Sequence, residues 1–281
     1  IAGSTRRALE RLRVSYIERP IRHRFDWLGF ANKPQAAVIA DEGAKTKHVV
    51  WLDADVLVVA EPHALDAPHN DAHEVLACVE ELGPVSSGPG DRFEPFWQAL
   101  ADAAGMHEGM PFVAAGPSGK RIRLHFNSGV FRFRRGSGFA NHYLELFEKL
   151  YALRIMPKDD PTMFLHEQII FSIAAASWRG GFAALDPSYN FHAEPMYEAL
   201  YPPAQYNRAV LLHWHDSLRM PDFRDTFMLR LQAAVPALAS IVHDSLPLEA
   251  PRAVLPRLQR ALLIRLRKRR EDAFMRGAIR L

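Results

Sequence analysis

The sequence predicts an α/β protein built on a doubly wound sheet, followed by a basic helical tail. Three observations lead there. Helical and strand-like segments alternate through the first sixty residues. The run His48-Val49-Val50-Trp51-Leu52 is apolar and β-branched, then broken at alternate positions by Asp53 and Asp55 before Val56 to Val59 resume. Ten Lys and Arg against two acids fall between Arg252 and Leu281, while the rest of the chain carries 25 basic and 30 acidic residues.

Taken in order, Thr5 to Leu12 reads as a helix and Val14 to Glu18 as a short strand stopped by Pro20. Asn32-Lys33-Pro34-Gln35 opens a helix to about Glu42, with Asn32 as cap, Pro34 in the first turn and Gly43 at the end. The run from His48 has the composition of a strand buried on both faces, as in parallel sheets. An unpaired carboxylate is too costly to keep ionised inside such a strand. The strand is therefore expected to end at Leu52 and deliver both acids to its carboxyl edge, where a hard divalent cation with oxygen ligands neutralises them.

Glu74 to Val79 is a further strand, and Cys78 within it is core. Leu82 to Lys120 is rich in Gly and Pro around a helix at Phe93 to Ala104. Gly116-Pro117-Ser118-Gly119-Lys120 has the wrong spacing for a phosphate loop, and Arg121 replaces the required hydroxyl, so it reads as a turn. Leu124 to Phe131 is a strand in which Asn127-Ser128-Gly129 marks a close backbone approach. A helix follows at Phe139 to Leu153, another begins near His166-Glu167-Gln168, and Val210 to Leu212 is a strand ending in His213 and His215. Phe223 to Asp244 is helical with a break at Pro236.

Bulk composition narrows the class. The chain has 281 residues, 48% of them apolar and 24% charged, which is enough for a full globular core. A single cysteine allows no disulfide framework and fits a reducing compartment. No stretch approaches the roughly 20 apolar residues of a membrane span. No secretory signal is visible. These features lead us to expect a cytoplasmic protein, with peripheral attachment at the inner face of the membrane as a further expectation from the tail. There, Val254, Leu255, Leu258, Ala261, Leu262 and Leu266 form one helical stripe beside many arginines, a pattern suited to an anionic bilayer surface. The scarcity of aromatic residues in the tail argues against nucleic acid as the partner.

Four motifs carry a family resemblance. Asp53-Ala54-Asp55 resembles the Asp-X-Asp motif of metal-dependent nucleotide-sugar glycosyltransferases of the GT-A fold. Phe126-Asn127-Ser128-Gly129-Val130 is similar to a segment of the retaining transferases related to glycogenin and the bacterial lipooligosaccharide galactosyltransferases. Glu167-Gln168 stands where that family carries Asp-Gln at a helix start, with a carboxylate one methylene longer. His213 begins a run resembling His-X-X-Gly-X-X-Lys-Pro, with Arg219 at the phosphate-binding Lys position, Asp216 where Gly is expected, and Pro221 one place late.

The resemblance implies a GT-A-like, Rossmann-like mixed sheet flanked by helices over residues 1–245, with a basic amphipathic tail at 246–281. It implies a hexosyltransferase moving sugar from a nucleoside-diphosphate donor, UDP-linked, to a glycan, lipid-linked or protein acceptor with retention. Mn²⁺ or Mg²⁺ would be held by Asp53, Asp55 and His213, with His215 as the alternative third ligand. Lys33, Asp53, Ala54, Asp55, Ser128, Gly129 and Arg219 would contact the donor, and Asn127, Glu167 and Gln168 would meet its sugar. A GT-A domain starts with one more strand than is visible before Thr5, so additional N-terminal sequence is expected. Two competing readings are a catalytically silent nucleotide-sugar-binding module and a sugar-nucleotide pyrophosphorylase. The latter would want a Gly-rich, Arg-Lys-bearing loop that is not seen here.

Overall fold

The computed structural model describes residues 3–19, 24–25, 27–66, 72–158, 165–215, 218, 220–244 and 254–281. In chain order the regular elements begin with α1 (Gly3–Arg11), α2 (Asn32–Gly43), β1 (His48–Leu52), β2 (Val56–Val58) and β3 (Val75–Val79). Next come α3 (Glu94–Ala103), β4 (Phe112–Ala114), β5 (Arg121–Arg123), β6 (Phe126–Arg134), α4 (Phe139–Ala152) and β7 (Ile155–Met156). The remainder are α5 (His166–Ala176), β8 (Phe182–Leu185), β9 (Phe191–His192), β10 (Leu211–His213), α6 (Pro221–Ala234), α7 (Pro236–Asp244), α8 (Val254–Met275) and β11 (Ile279–Arg280).

The principal sheet has the order β1-β6-β3-β8. β6 runs antiparallel to both β1 and β3, and β3 runs parallel to β8. The sheet is thus mixed: β1, β3 and β8 share one direction and β6 opposes them. Their three carboxyl ends, together with the start of β6, therefore meet at one edge. A smaller sheet, β2-β10-β9, lies beyond that edge and sets His213 opposite Val56 and next to His192.

Alternation along the strands separates two apolar layers. Val75, Ala77, Phe131 and Phe133 join Phe139, Tyr143, Ile170 and Phe171 of α4 and α5 in the main core. Leu76, Cys78, Val130 and Leu185 face the other way, against Leu65, Tyr189 and Leu211. Cys78 is buried there, as a core residue should be.

Three local expectations are corrected. The segment from Val14 to Glu18 forms no strand and is exposed. A β-branched run alone does not make a strand without a ladder partner, and none pairs with it among the described residues. β1 is neither parallel-paired nor buried on both faces. It is the edge strand of the described sheet, with Val50 and Leu52 exposed. Apolar composition reports burial of some kind, but not the direction of the neighbouring strand. Asn32 does not cap α2, because a 3-10 turn at Gly29–Ala31 runs directly into the helix and moves the cap to Ala31. The Gly116–Lys120 segment is the turn of the β4–β5 hairpin, closed by Ala115 N–H to Lys120 O at 2.7 Å.

The end of the chain is divided. Leu258, Leu262, Leu263, Ile264 and Leu266 of α8 are exposed. In its last turn Phe274 is buried, packing on Tyr151 and Phe25 with centroids 5.0 and 6.0 Å away. β11 then pairs with β7. Phe274 therefore belongs to the main core, with Met275, Ala278 and Leu281 packed against it. Among the described residues, no helix is long and apolar enough to cross a membrane.

Candidate active site

The site forms where β1 ends. The Asp53 N–H donates to Gly129 O of β6 at 2.8 Å, which pins the residue after the strand. Its carboxylate accepts Trp51 Nε1–H at 2.6 Å and Lys33 Nζ at 3.1 Å. The turn through Ala54 brings Asp55 round so that Asp55 Oδ1 lies 3.3 Å from His213 Nε2. Asp53, Asp55 and His213 each offer a ligand atom, all within 4.8 Å of one another.

His213 is oriented from behind. Its Nδ1 meets Asn190 Oδ1 at 2.9 Å, so Nδ1 donates to the amide oxygen and the ring presents Nε2 to the Asp55 carboxylate. Either a proton on Nε2 or a cation between the nitrogen and the carboxylate satisfies this pair. Gly129 makes room for the ring. A Cβ there would lie 2.4 Å from His213 Cε1 and 2.9 Å from Asn127 Oδ1. The close approach signalled by Asn-Ser-Gly in the sequence is thus an approach to an imidazole.

Lys33, from the first turn of α2, reaches the same place. Its buried ammonium donates to Asp53, to Ser128 O at 3.0 Å and to Ser128 Oγ at 3.1 Å, and lies 3.5 Å from Glu167 Oε2. Glu167 is itself buried at the start of α5 and accepts from Ser128 Oγ at 2.9 Å and from the Tyr143 hydroxyl. Gln168 accepts the Ser128 N–H at 3.3 Å and meets His125 Nε2 at 3.1 Å. Asn127 accepts the Gly129 N–H at 2.7 Å and donates to Glu80 at 3.1 Å.

Lys33, Asp53, Asp55, Asn127, Ser128, Gly129, Glu167, Gln168, His213 and His215 all line one cleft of about 550 Å³. Ala54 lines the adjoining hollow with Trp51, Trp214 and Lys33. His215 stacks on His213 at 3.7 Å and has Glu194 Oε2 3.5 Å from its Nδ1. Arg219 lies outside the described residues. A larger hollow of about 660 Å³ beside the outer edge of β1 contains none of these residues. The chemistry, not the size, marks the site.

Sequence reasoning missed Glu80, His192, His125 and Tyr143. Glu80 gives the same signal as Asp53, a carboxylate directly after an apolar strand, and was findable by that rule. Burial alone would raise its carboxyl, but His192, with Nε2 3.3 Å away, and the Leu82 N–H more than reverse this and hold it down to about 2. His125 is driven the other way by burial, down to about 4, so its imidazole is neutral. Burial likewise works to raise Asp55, yet the hydrogen bond and charge of His213, with His215 beside it, leave it below the ordinary carboxylate range. Tyr143 is pushed well up by burial and by Glu167, so it stays a donor. Nothing in an amphipathic helix distinguishes such a tyrosine from plain core.

Among the described residues, five carboxylates and one ammonium line the cleft: Asp53, Asp55, Glu80, Glu167 and Glu194 against Lys33. Such a surface repels an anionic ligand unless a cation lies between them.

Comparison with family models gives the class of protein: residues 1–179 match a glycosyltransferase. The matching model is that of the Rhodobacterales glycosyltransferase domain, and the chain belongs to that family. It is a glycosyltransferase. No curated protein sequence matches the chain. Solved structures similar to it include the galactosyltransferase LgtC in complex with donor and acceptor sugar analogues, at 16% identity and a TM-score of 0.41 over 72% of this chain and 67% of that one. Mouse xyloside xylosyltransferase 1 in its apo form is similar at 16% identity and a TM-score of 0.36, over 66% and 63% of the two chains. The apo bifunctional glycosyltransferase WbbM is similar at 11% identity and a TM-score of 0.38, over 73% of this chain and 35% of that one.

Proposed function

We propose that the chain is a GT-A-type, metal-dependent hexosyltransferase that moves a sugar from a nucleoside-diphosphate donor, UDP-linked, to a glycan, lipid-linked or protein acceptor with retention. The observation that carries this reading is an anionic cleft whose Asp53, Asp55 and His213 ligand atoms converge within 4.8 Å. A diphosphate cannot approach such a cleft unaided, and two carboxylates with one imidazole suit Mn²⁺ or Mg²⁺. Bound there, the cation would offset charge on the departing diphosphate.

The remaining roles belong to side chains already in place. Lys33 fixes Asp53 and Ser128 and adds positive charge at the cleft floor. Glu167, held by Tyr143 and Ser128, is set to accept sugar hydroxyls. Gln168 and Asn127 present amide groups beside them, where Gln168 would polarise the reacting centre while the acceptor hydroxyl attacks from the leaving group's side. Arg219, outside the described residues, is assigned to the diphosphate only because of its place after His213, a guanidinium being able to hold phosphate through two parallel hydrogen bonds.

The exposed leucines and arginines of α8 suit an anionic membrane surface, which would bring a lipid-linked acceptor to the cleft. The test of the transferase reading is UDP release from UDP-sugars with Mn²⁺. Wild type should release UDP, and Asp53→Asn should abolish release while melting cooperatively. Full turnover in that variant, or pyrophosphate as the product, ends the assignment. Binding of UDP-sugar with no release under any acceptor leaves a silent binding module instead.

A further inference from the structure

His213 belongs to two ligand groups. One is the trio with Asp53 and Asp55, and the other is His192, His213 and His215, whose ring nitrogens also lie within 4.8 Å of one another. The strand pairing explains the second group. β9 and β10 run parallel with His192 directly beside His213, and the chain turns after Trp214 to fold His215 back over them. All three rings stack, with His192 also face to face with Tyr197 at 4.1 Å.

Two further features bear on what this cluster can hold. His192 is 1% exposed, yet its Nδ1 has no hydrogen-bond partner among the described residues. A buried ring nitrogen left unbonded costs free energy that a ligand would recover. His215 holds φ at 47°, in the left-handed region that Asn, Asp and His reach more readily than other non-glycine residues, and its ring lies over the other two. Carboxylates flank the group at Glu80 and Glu194.

We propose that His192, His213 and His215 form a second cation placement that takes a borderline transition metal, Zn²⁺ above all, and excludes the placement at Asp53 and Asp55. The inference rests on the transferase reading only for its consequence, that zinc opposes the cation serving the donor. Imidazole nitrogen favours zinc over the hard cations, whereas the oxygen-rich trio favours Mn²⁺ or Mg²⁺. Exclusion follows from the shared residue. His213 Nδ1 is engaged by Asn190, so Nε2 is the nitrogen left for either ion.

Ring nitrogens ligate in the ring plane, and His213 and His215 are now stacked 3.7 Å apart at 12°. Closing on an ion requires one ring to leave the stack. His215 is the ring free to do so: its side chain is 21% exposed at the cleft, while His192 and His213 are buried at 1% and 4%.

The test measures binding rather than turnover. Mn²⁺ affinity is read from the spin resonance of the free aquo ion and Zn²⁺ affinity by competition with a chromophoric chelator, for wild type, His215→Asn and Asp53→Asn. Asn keeps the left-handed backbone accessible. In wild type, Zn²⁺ should displace Mn²⁺ one for one. His215→Asn should lower Zn²⁺ affinity about tenfold or more and leave Mn²⁺ within about twofold, and Asp53→Asn should do the reverse. His192→Asn, checked for a cooperative melt, should match His215→Asn. Simultaneous binding of both ions, or Zn²⁺ and Mn²⁺ affinities falling together in every variant, overturns the proposal. Wild type that binds Zn²⁺ but never Mn²⁺ removes the donor-cation reading and leaves the imidazole site standing.

Discussion

Gly129→Ala isolates the geometry on which the cation site depends. Gly129 sits in β6 with ordinary negative φ, so alanine brings no backbone strain, and any effect must come from the added methyl. That methyl would stand 2.4 Å from His213 Cε1. Carbon atoms settle about 3.5–4.0 Å apart, so the imidazole must retreat by about 1.1–1.6 Å. Asn127 Oδ1, 2.9 Å from the same point, is tied to the Gly129 N–H and has little room to yield. A displacement of that size breaks the His213 contacts with Asn190 at 2.9 Å and Asp55 at 3.3 Å. Overpacking of this kind costs about 1–3 kcal/mol. If the retreat of His213 relieves it, the cation must restore the ring against the same cost, which weakens Mn²⁺ by about 5- to 150-fold. Calorimetric Mn²⁺ titration reads the affinity, UDP release reads the activity, and a thermal melt reports the fold. Gly43→Ala, where a Cβ meets nothing within 4 Å, is the control. Mn²⁺ affinity and turnover within about twofold of wild type in Gly129→Ala would show that His213 is not a ligand.

Two further outcomes are expected. Acid lability should appear in two stages. His125, near 4 in the fold against 6.5 when free, stays neutral while the unfolded chain protonates, so its own share of the stability lost from about pH 6.5 toward 4 is at most about 3 kcal/mol. Glu80, near 2 against 4.5, stabilises the fold above pH 4.5 and withdraws that contribution as pH drops toward 2. Urea midpoints that stay constant between pH 6.5 and 4.5 would contradict the His125 assignment. For the membrane surface, deleting the tail is the wrong perturbation, because Phe274 and β11 would leave with it. The triple change Leu258→Ser, Leu262→Ser, Leu266→Ser removes only exposed apolar surface. Wild type should co-sediment with anionic vesicles and the triple variant at least about tenfold less, each leucine being worth about 1.5–3 kcal/mol on burial. Equal sedimentation would remove the bilayer as partner.

The part of the site legible in the sequence is the part written by local cost. A charge at the end of an apolar strand demands a reason, and that rule finds Asp53 with Asp55 two residues on; applied again it finds Glu80. A glycine inside a strand likewise demands a close neighbour, and Gly129 has one. What sequence could not supply is the identity of that neighbour or the direction of the strand beside β1. Both are set by pairing between segments far apart in the chain. β1 is as apolar as a strand in a parallel sheet because its inner residues face α2 and the aromatic core, while its edge position and its antiparallel partner leave no trace in its own composition. His192 escaped notice for the same reason, since only the β9–β10 pairing puts it beside His213.

That dependence on pairing gives β6 a specific burden. Gly129 O holds the Asp53 N–H, its N–H anchors Asn127, and its missing side chain admits His213, so one residue positions groups contributed by β1, β6 and β10. Side chains along a strand alternate faces, so a one-residue slip of β6 against β1 would replace Gly129 with Val130 and close the space for the imidazole. The cation site is therefore a property of register before it is a property of its ligands. Substitutions that loosen the β1–β6 ladder at a distance, in pairs such as Val49 with Phe133, should impair metal binding through register even though no ligand is touched.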